Sequence, residues 1–197
     1  MAISKTEICN MSLTRLGASP ITNIDDDSSN ARALNRVYEI ALRSILSECQ
    51  WNFATKRTLP AEVDTDLAWY DSGETIIYQR PSDCIRIFGT NDDDAIWREE
   101  GEYIISDTSG LGLRYVYYLD APSKYSISFI DAFADRLAAD IAFLILNSST
   151  KAEAMLEKYK KVSLPNARSE NAQTGTHQYL KDDAWERAKT QDGGVTF

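Results

Sequence analysis

Histidine is nearly missing from this chain: His177 is the single one in 197 residues. One copy therefore cannot assemble a zinc site from several imidazoles. A Ser-His-Asp or Cys-His arrangement would depend on a base in the loose Gly175-Thr176-His177 stretch, whereas such a base must be held by packing and a third group. Cysteine is scarce too. Cys9, Cys49 and Cys84 are odd in number, widely separated and without a C-x-x-C pair, which argues against both a disulfide framework and a thiolate metal site. Free buried thiols in a reducing compartment are expected instead. Basic residues are outnumbered, with 21 Lys and Arg against 30 Asp and Glu, a net charge of −9 and a pI near 4.7. Nucleic-acid affinity comes mainly from Lys and Arg neutralising phosphates, so gripping DNA is not expected. The start of the chain, Met1 to Ile8, lacks the basic-then-apolar pattern of a secretory leader, and the longest apolar run, Ile141 to Leu146, is far too short to span a bilayer. A soluble, acidic, non-membrane protein made in the cytosol is expected. No G-x-x-x-x-G-K-[ST] or G-x-G-x-x-G occurs. Gly101, Gly110 and Gly112 read as turns, and no cofactor is expected.

What is present is globular: 43% hydrophobic residues, with only 9 Gly and 5 Pro. A first helix is predicted from about Ser4 to Leu16, with Ile8, Cys9, Ser12, Leu13 and Leu16 inward and Gly17 as its stop. One polar residue of Asp25 to Asn30 is expected to cap a second helix running from about Ser29 to Cys49. There Leu34, Val37, Tyr38, Ala41, Leu42, Ile45, Leu46 and Cys49 recur at helical spacing, opposite Arg32, Arg36, Glu39 and Arg43. From Trp51 the period changes. Ile76–Tyr78, Cys84–Phe88, Ala95–Trp97, Tyr103–Ile105 and Leu113–Leu119 read as short strands joined by turns, hence one small antiparallel meander.

A third helix is expected from Ser128, with Asp131 completing its cap, and is apolar nearly all round. Its buried face includes Leu144 and Ile145, with Phe143 and Leu146 widening the apolar surface and Arg136 able to pair with Asp140. The fourth helix is expected to open on Thr150 and Glu153, to bury Met155, Leu156, Tyr159 and Val162, and to end or kink at Pro165. The expected class is α+β, with a four-helix bundle-like core, an inserted small antiparallel sheet and an extended C-terminal tail. Residues 1–54 and 123–165 would form the helical halves, 55–122 the sheet domain and 166–197 the extension.

Two features invite a functional reading. The acidic stretches Asp92-Asp93-Asp94 and Glu99, Glu100 and Glu102 could supply an acid and a base for glycan hydrolysis. Their positions in turns favour an ordinary solvated surface, and they lack the spacing of a calcium loop. The tail is polar but carries Tyr179, Leu180, Trp185 and Phe197, large anchors of the kind that dominate protein interfaces.

In order and spacing, several stretches resemble the head-to-tail adaptor family of tailed bacteriophages, also called tail tubular protein A. They are Leu16-Gly17 with Pro20-Ile21, Asp25 to Ser28, Cys49-Gln50-Trp51-Asn52-Phe53-Ala54, Tyr78 to Ile87, Leu113-Arg114-Tyr115, Phe133 to Ala142, Ala172 to Thr176, and Asp182-Asp183-Ala184-Trp185. The resemblance implies a non-enzymatic virion subunit in a twelvefold ring, with a portal protein above, a tail nozzle below and DNA passing through unbound. On that footing Tyr179, Leu180, Trp185 and Phe197 are expected to meet the portal. Trp97, Glu99, Glu100 and Glu102 are expected to meet the nozzle or a neighbouring subunit. The competing expectations are a carboxylate-based glycan hydrolase and another ring-forming head-completion protein.

Overall fold

In a computed structural model, which describes residues 3–65, 67, 69, 71 and 73–174, helix α1 (Lys5–Leu16) opens on Ser4. The Ser4 hydroxyl accepts the Glu7 N–H while the Glu7 carboxylate accepts the Ser4 N–H, so two amides that a helix start leaves unpaired are satisfied together. Gly17 ends it at φ 72°, where a side chain would be strained. All five predicted inward residues are buried. Helix α2 (Ser29–Ser47) is capped by Ser28, which accepts from the Ala31 N–H. It stops short of Cys49 because the chain turns back there: the Trp51 indole donates to the Ile45 carbonyl at 2.9 Å, satisfying an acceptor in the last turn.

A short 3-10 turn, Asn52–Ala54, leads into strand β1 (Thr55–Thr58), which the sequence reading missed because Thr-Lys-Arg-Thr carries no apolar alternation. The other strands are β2 (Ile76–Gln79), β3 (Cys84–Thr90), β4 (Trp97–Glu100), β5 (Tyr103–Ser106) and β6 (Leu113–Tyr117). The single meander is corrected to two three-stranded antiparallel sheets, ordered β1-β6-β3 and β2-β5-β4. The unforeseen β1 takes one edge of β6 and β3 takes the other, so β6 has no edge left for the second sheet. Tyr78, Ile104 and Leu111 pack with Cys84, Ile87, Leu113 and Tyr115 to join the sheets through a small core. Val116, on the opposite face of β6, belongs to the main helical core, as strand alternation requires. The class is α+β.

Helix α3 (Ile127–Leu146) begins two residues earlier than expected. Its cap is Ser126, whose hydroxyl accepts the Phe129 N–H, rather than Ser128. The Ser128 N–H is directed instead to the Glu170 carboxylate at 3.3 Å. Helix α4 (Ser149–Lys158) is likewise capped by Ser148 rather than Thr150. The chain does not stop at Pro165. A π-helical turn, Tyr159–Ser163, carries it into α5 (Leu164–Gln173), and Pro165 falls in the first turn of α5, where its missing N–H is tolerated. The wider turn also changes which residues face inward. Tyr159, Leu164 and Ala167 are buried, while Val162, expected inside, is 50% exposed.

The main core is aromatic at its centre. Phe129 meets Trp51 and Phe53 edge-to-face at 4.9 and 4.8 Å, and Tyr125 at 4.9 Å. Beyond their area burial, such pairs contribute on the order of 1 kcal/mol each.

Candidate functional site

The β4–β5 hairpin carries the residues expected to meet a partner. Neighbouring strand residues face opposite sides, and the acids follow that rule. Glu99 pairs with Arg80 at 2.9 Å, whereas Glu100 pairs with Arg98 at 2.7 Å. Arg98 also reaches the buried Glu74 at 3.1 Å, and it reaches Asp71. Glu99 and Glu100 therefore do not converge as an acid–base pair. Each is tied to a separate guanidinium. Glu102 is exposed at the turn, and its backbone carbonyl accepts from the Arg80 N–H at 2.9 Å. Trp97 is half-buried, packed against the small core, and the exposed apolar residue of the hairpin is its neighbour Ile96, at 59%. The Asp92 carboxylate accepts the Asp94 N–H at 3.0 Å, closing its own turn.

The Trp-Asn-Phe-Ala stretch is a clasp. Trp51 and Phe53 sit in the aromatic centre, and Ala54 is buried. The Asn52 side-chain amide donates to the Asn171 carbonyl at 2.8 Å and to the Thr174 hydroxyl at 2.7 Å, while the Asn171 side chain accepts the Asn52 N–H at 2.8 Å. These bonds fasten the end of α5 to the start of the sheet region, so the point from which the C-terminal segment leaves is fixed. Tyr179, Leu180, Trp185, Phe197 and His177 lie outside the described residues.

Sequence reasoning overlooked Asp135. It is fully buried in α3, yet it accepts from Arg15 of α1 at 2.8 Å, from Lys158 of α4 at 3.0 Å, and from the Ser163 hydroxyl in the π-helical turn. The available signal was a charge between the inward-facing Phe133, Ala134, Leu137 and Ala138. Arg136 pairs with Asp140 at 3.0 Å as their spacing predicts.

The last turn of α3 overturns a burial expectation. Phe143 is 56% exposed, Leu144 55% and Leu146 38%. Burial ends with Ile141 and Ala142, both fully buried, and Ile145 still packs against the core, so the neighbouring helices cover one side of this last turn and leave Phe143, Leu144 and Leu146 outside it.

The thiols are buried at Cys9 and Cys84 and half-buried at Cys49. Burial pushes Cys9 up to about 12, partly offset by Lys5, and pushes Cys84 up to about 11, opposed by Arg80. Both remain protonated, poorly nucleophilic thiols at neutral pH. Burial also raises Cys49, against the pull of Arg168. Among the described residues no group of three or more His, Cys, Asp or Glu could hold a metal, and no helix is long and apolar enough to cross a membrane. No family model and no curated protein matches the chain.

Proposed function

We propose that this chain is a structural subunit of a tailed-phage virion, a head-to-tail adaptor that closes into a ring between portal and nozzle. The reading rests on the resemblance of its motifs. The observation that carries it is the uncovered apolar end of α3, Phe143, Leu144 and Leu146, on a chain of charge −9. Exposed apolar side chains gathered at one helix end offer a surface for a partner, and a closed ring needs two unlike complementary faces on each subunit.

On this reading residues 1–54 and 123–165, continued by α5, make a bundle-like helical half, 55–122 the inserted sheet part, and of the expected extension 166–197 only the residues after Thr174 are left to meet the portal. The chain is then a non-enzymatic part of the head–tail interface. Its negative charge keeps passing DNA from adhering wherever it faces the lumen. The Asn52 clasp supports the assignment of the extension, because it gives Tyr179, Leu180, Trp185 and Phe197 a fixed point of departure.

Electron microscopy of the purified protein, alone and with a portal protein, tests the proposal. Rings that stack on the portal are expected. Leu144→Glu is expected to abolish the ring while leaving the fold intact, since Leu144 is exposed. Trp185→Ala is expected to weaken portal docking by about 2 kcal/mol. A wild-type protein that neither forms rings nor binds portal would refute the proposal.

A further inference from the structure

At one end of the β1-β6-β3 sheet, the last residues of β1 and β3 and the first of β6 surround a cleft of about 540 Å3, within the size range of small-ligand sites. Two of its lining residues, Arg57 and Arg114, stand directly opposite each other across the β1–β6 ladder. Like charges in that position repel. Several arginines of this acidic chain are paired with carboxylates: Arg98 takes three, and Arg80 and Arg168 take one each, while Arg36 and Arg86, like the cleft pair, take none among the described residues. Among the described residues no carboxylate pairs with Arg57 or Arg114, and the buried Arg114 Nε has no acceptor.

The surroundings hold this arrangement in place. The pairing of β3 with β6 slips between Ile87 and Gly89, a bulge of the kind that re-aims side chains. It leaves the Phe88 ring 5.2 Å from the Arg114 guanidinium carbon. A Cβ at Gly89 would come 3.1 Å from Arg114 Nη2, so any larger residue there would push the guanidinium aside by a few tenths of an ångström. The adjoining wall is braced by Asn91. Its side-chain oxygen accepts the Gly112 N–H at 2.6 Å, and a Cβ at Gly112 would sit 2.9 Å from Asn91 Cγ.

We propose that this cleft binds the phosphate monoester of a small polyhydroxylated molecule, a sugar phosphate or nucleotide, with Arg57 and Arg114 holding the phosphate. A phosphate monoester carries roughly −1.5 to −2 at neutral pH, which matches two guanidinium groups. A single carboxylate would balance only one. Guanidinium forks also suit phosphate oxygens geometrically. Asp93, on the cleft wall, would oppose a second anion but accepts hydrogen bonds from ligand hydroxyls. The site is independent of ring formation.

Titration calorimetry on the purified chain, at about 0.15 M salt to screen the overall negative charge, compares ribose 5-phosphate, inorganic phosphate, ribose and succinate. Ribose 5-phosphate is expected to bind most tightly, with inorganic phosphate weaker and no heat from ribose or succinate. Arg57→Gln, on an exposed position of β1, is expected to lower the affinity about 10- to 100-fold with unchanged unfolding in the absence of ligand. Gly89→Ala is expected to lower it by displacing Arg114. Three results would overturn the proposal: no heat from either phosphate compound, succinate binding as tightly as ribose 5-phosphate, or equal affinity in Arg57→Gln.

Discussion

Replacing Asp135 by alanine is expected to destabilise the helical core more than any other single charge removal in this chain. The side chain is fully buried and accepts from Arg15 at 2.8 Å, Lys158 at 3.0 Å and the Ser163 hydroxyl. Removing one partner of a buried ion pair costs about 3–5 kcal/mol, because the other charge is left uncompensated. Here the stranded groups differ. Lys158 is 44% exposed and can rehydrate, whereas Arg15 is 16% exposed and retains only the surface Asp131. The expected loss therefore lies near the lower end, about 3 kcal/mol. For a urea slope of about 2 kcal/mol per molar, the unfolding midpoint falls by about 1.5 M. Asp135→Asn, which can still accept from Ser163, is expected to lose less. Urea unfolding followed by far-UV circular dichroism reads all three proteins. A midpoint for Asp135→Ala within about 0.3 M of the parent would mean that Arg15 and Lys158 find water at no cost, and that the three-way tie between α1, α3 and the π-helical turn does not hold the helices together.

Trp51→Ala removes a fully buried ring and its bond to the Ile45 carbonyl and is expected to cost about 3–5 kcal/mol in thermal or chemical unfolding. A loss under about 1 kcal/mol would contradict the aromatic centre described above. Alkaline pH is expected to destabilise the fold. Unfolded thiols ionise near 8.5, whereas folded Cys9 and Cys84 stay protonated to about 12 and 11. The folded state thus retains protons that the unfolded chain releases, and each thiol removes about 1.4 kcal/mol per pH unit across that window. A Cys9→Ala, Cys84→Ala double variant should show a shallower alkaline slope, and an identical slope would refute the assignment. Burial alone would raise Asp83, but hydrogen bonds from Lys56 and Tyr115 outweigh it and hold the carboxyl below its ordinary value. The stability it contributes is present above the unfolded carboxyl's pKa and is lost as pH falls through the lower folded one. In Lys56→Met the Asp83 carboxyl is expected to titrate higher by NMR, and an unmoved titration would show that Lys56 is not the cause.

The residues of α1 and α2 determined those helices almost completely on their own. Ser4 with Glu7, Gly17, Ser28 and the inward stripe from Leu34 to Leu46 are local signals, and helix ends and faces obey local rules. Strands with β-branched runs were legible for the same reason. What the sequence could not decide was which partner each segment would meet. Thr55–Thr58 is a strand only because β6 offers it an edge, and that edge alone separates two sheets from one. Ser126 displaced Ser128 as a cap, and the π-helical turn carried the helix past Pro165, through contacts with distant α5 and α3 residues. Asp135 reads as an anomaly among inward-facing apolar residues until Arg15 and Lys158, each far away along the chain, arrive beside it. The opposed Arg57 and Arg114 are likewise a product of strand register. Spacing along the chain sets which side of an element is apolar. Only the positions and pairings of its neighbours determine how much of that side is covered, and that is why Phe143, Leu144 and Leu146 are left facing outward.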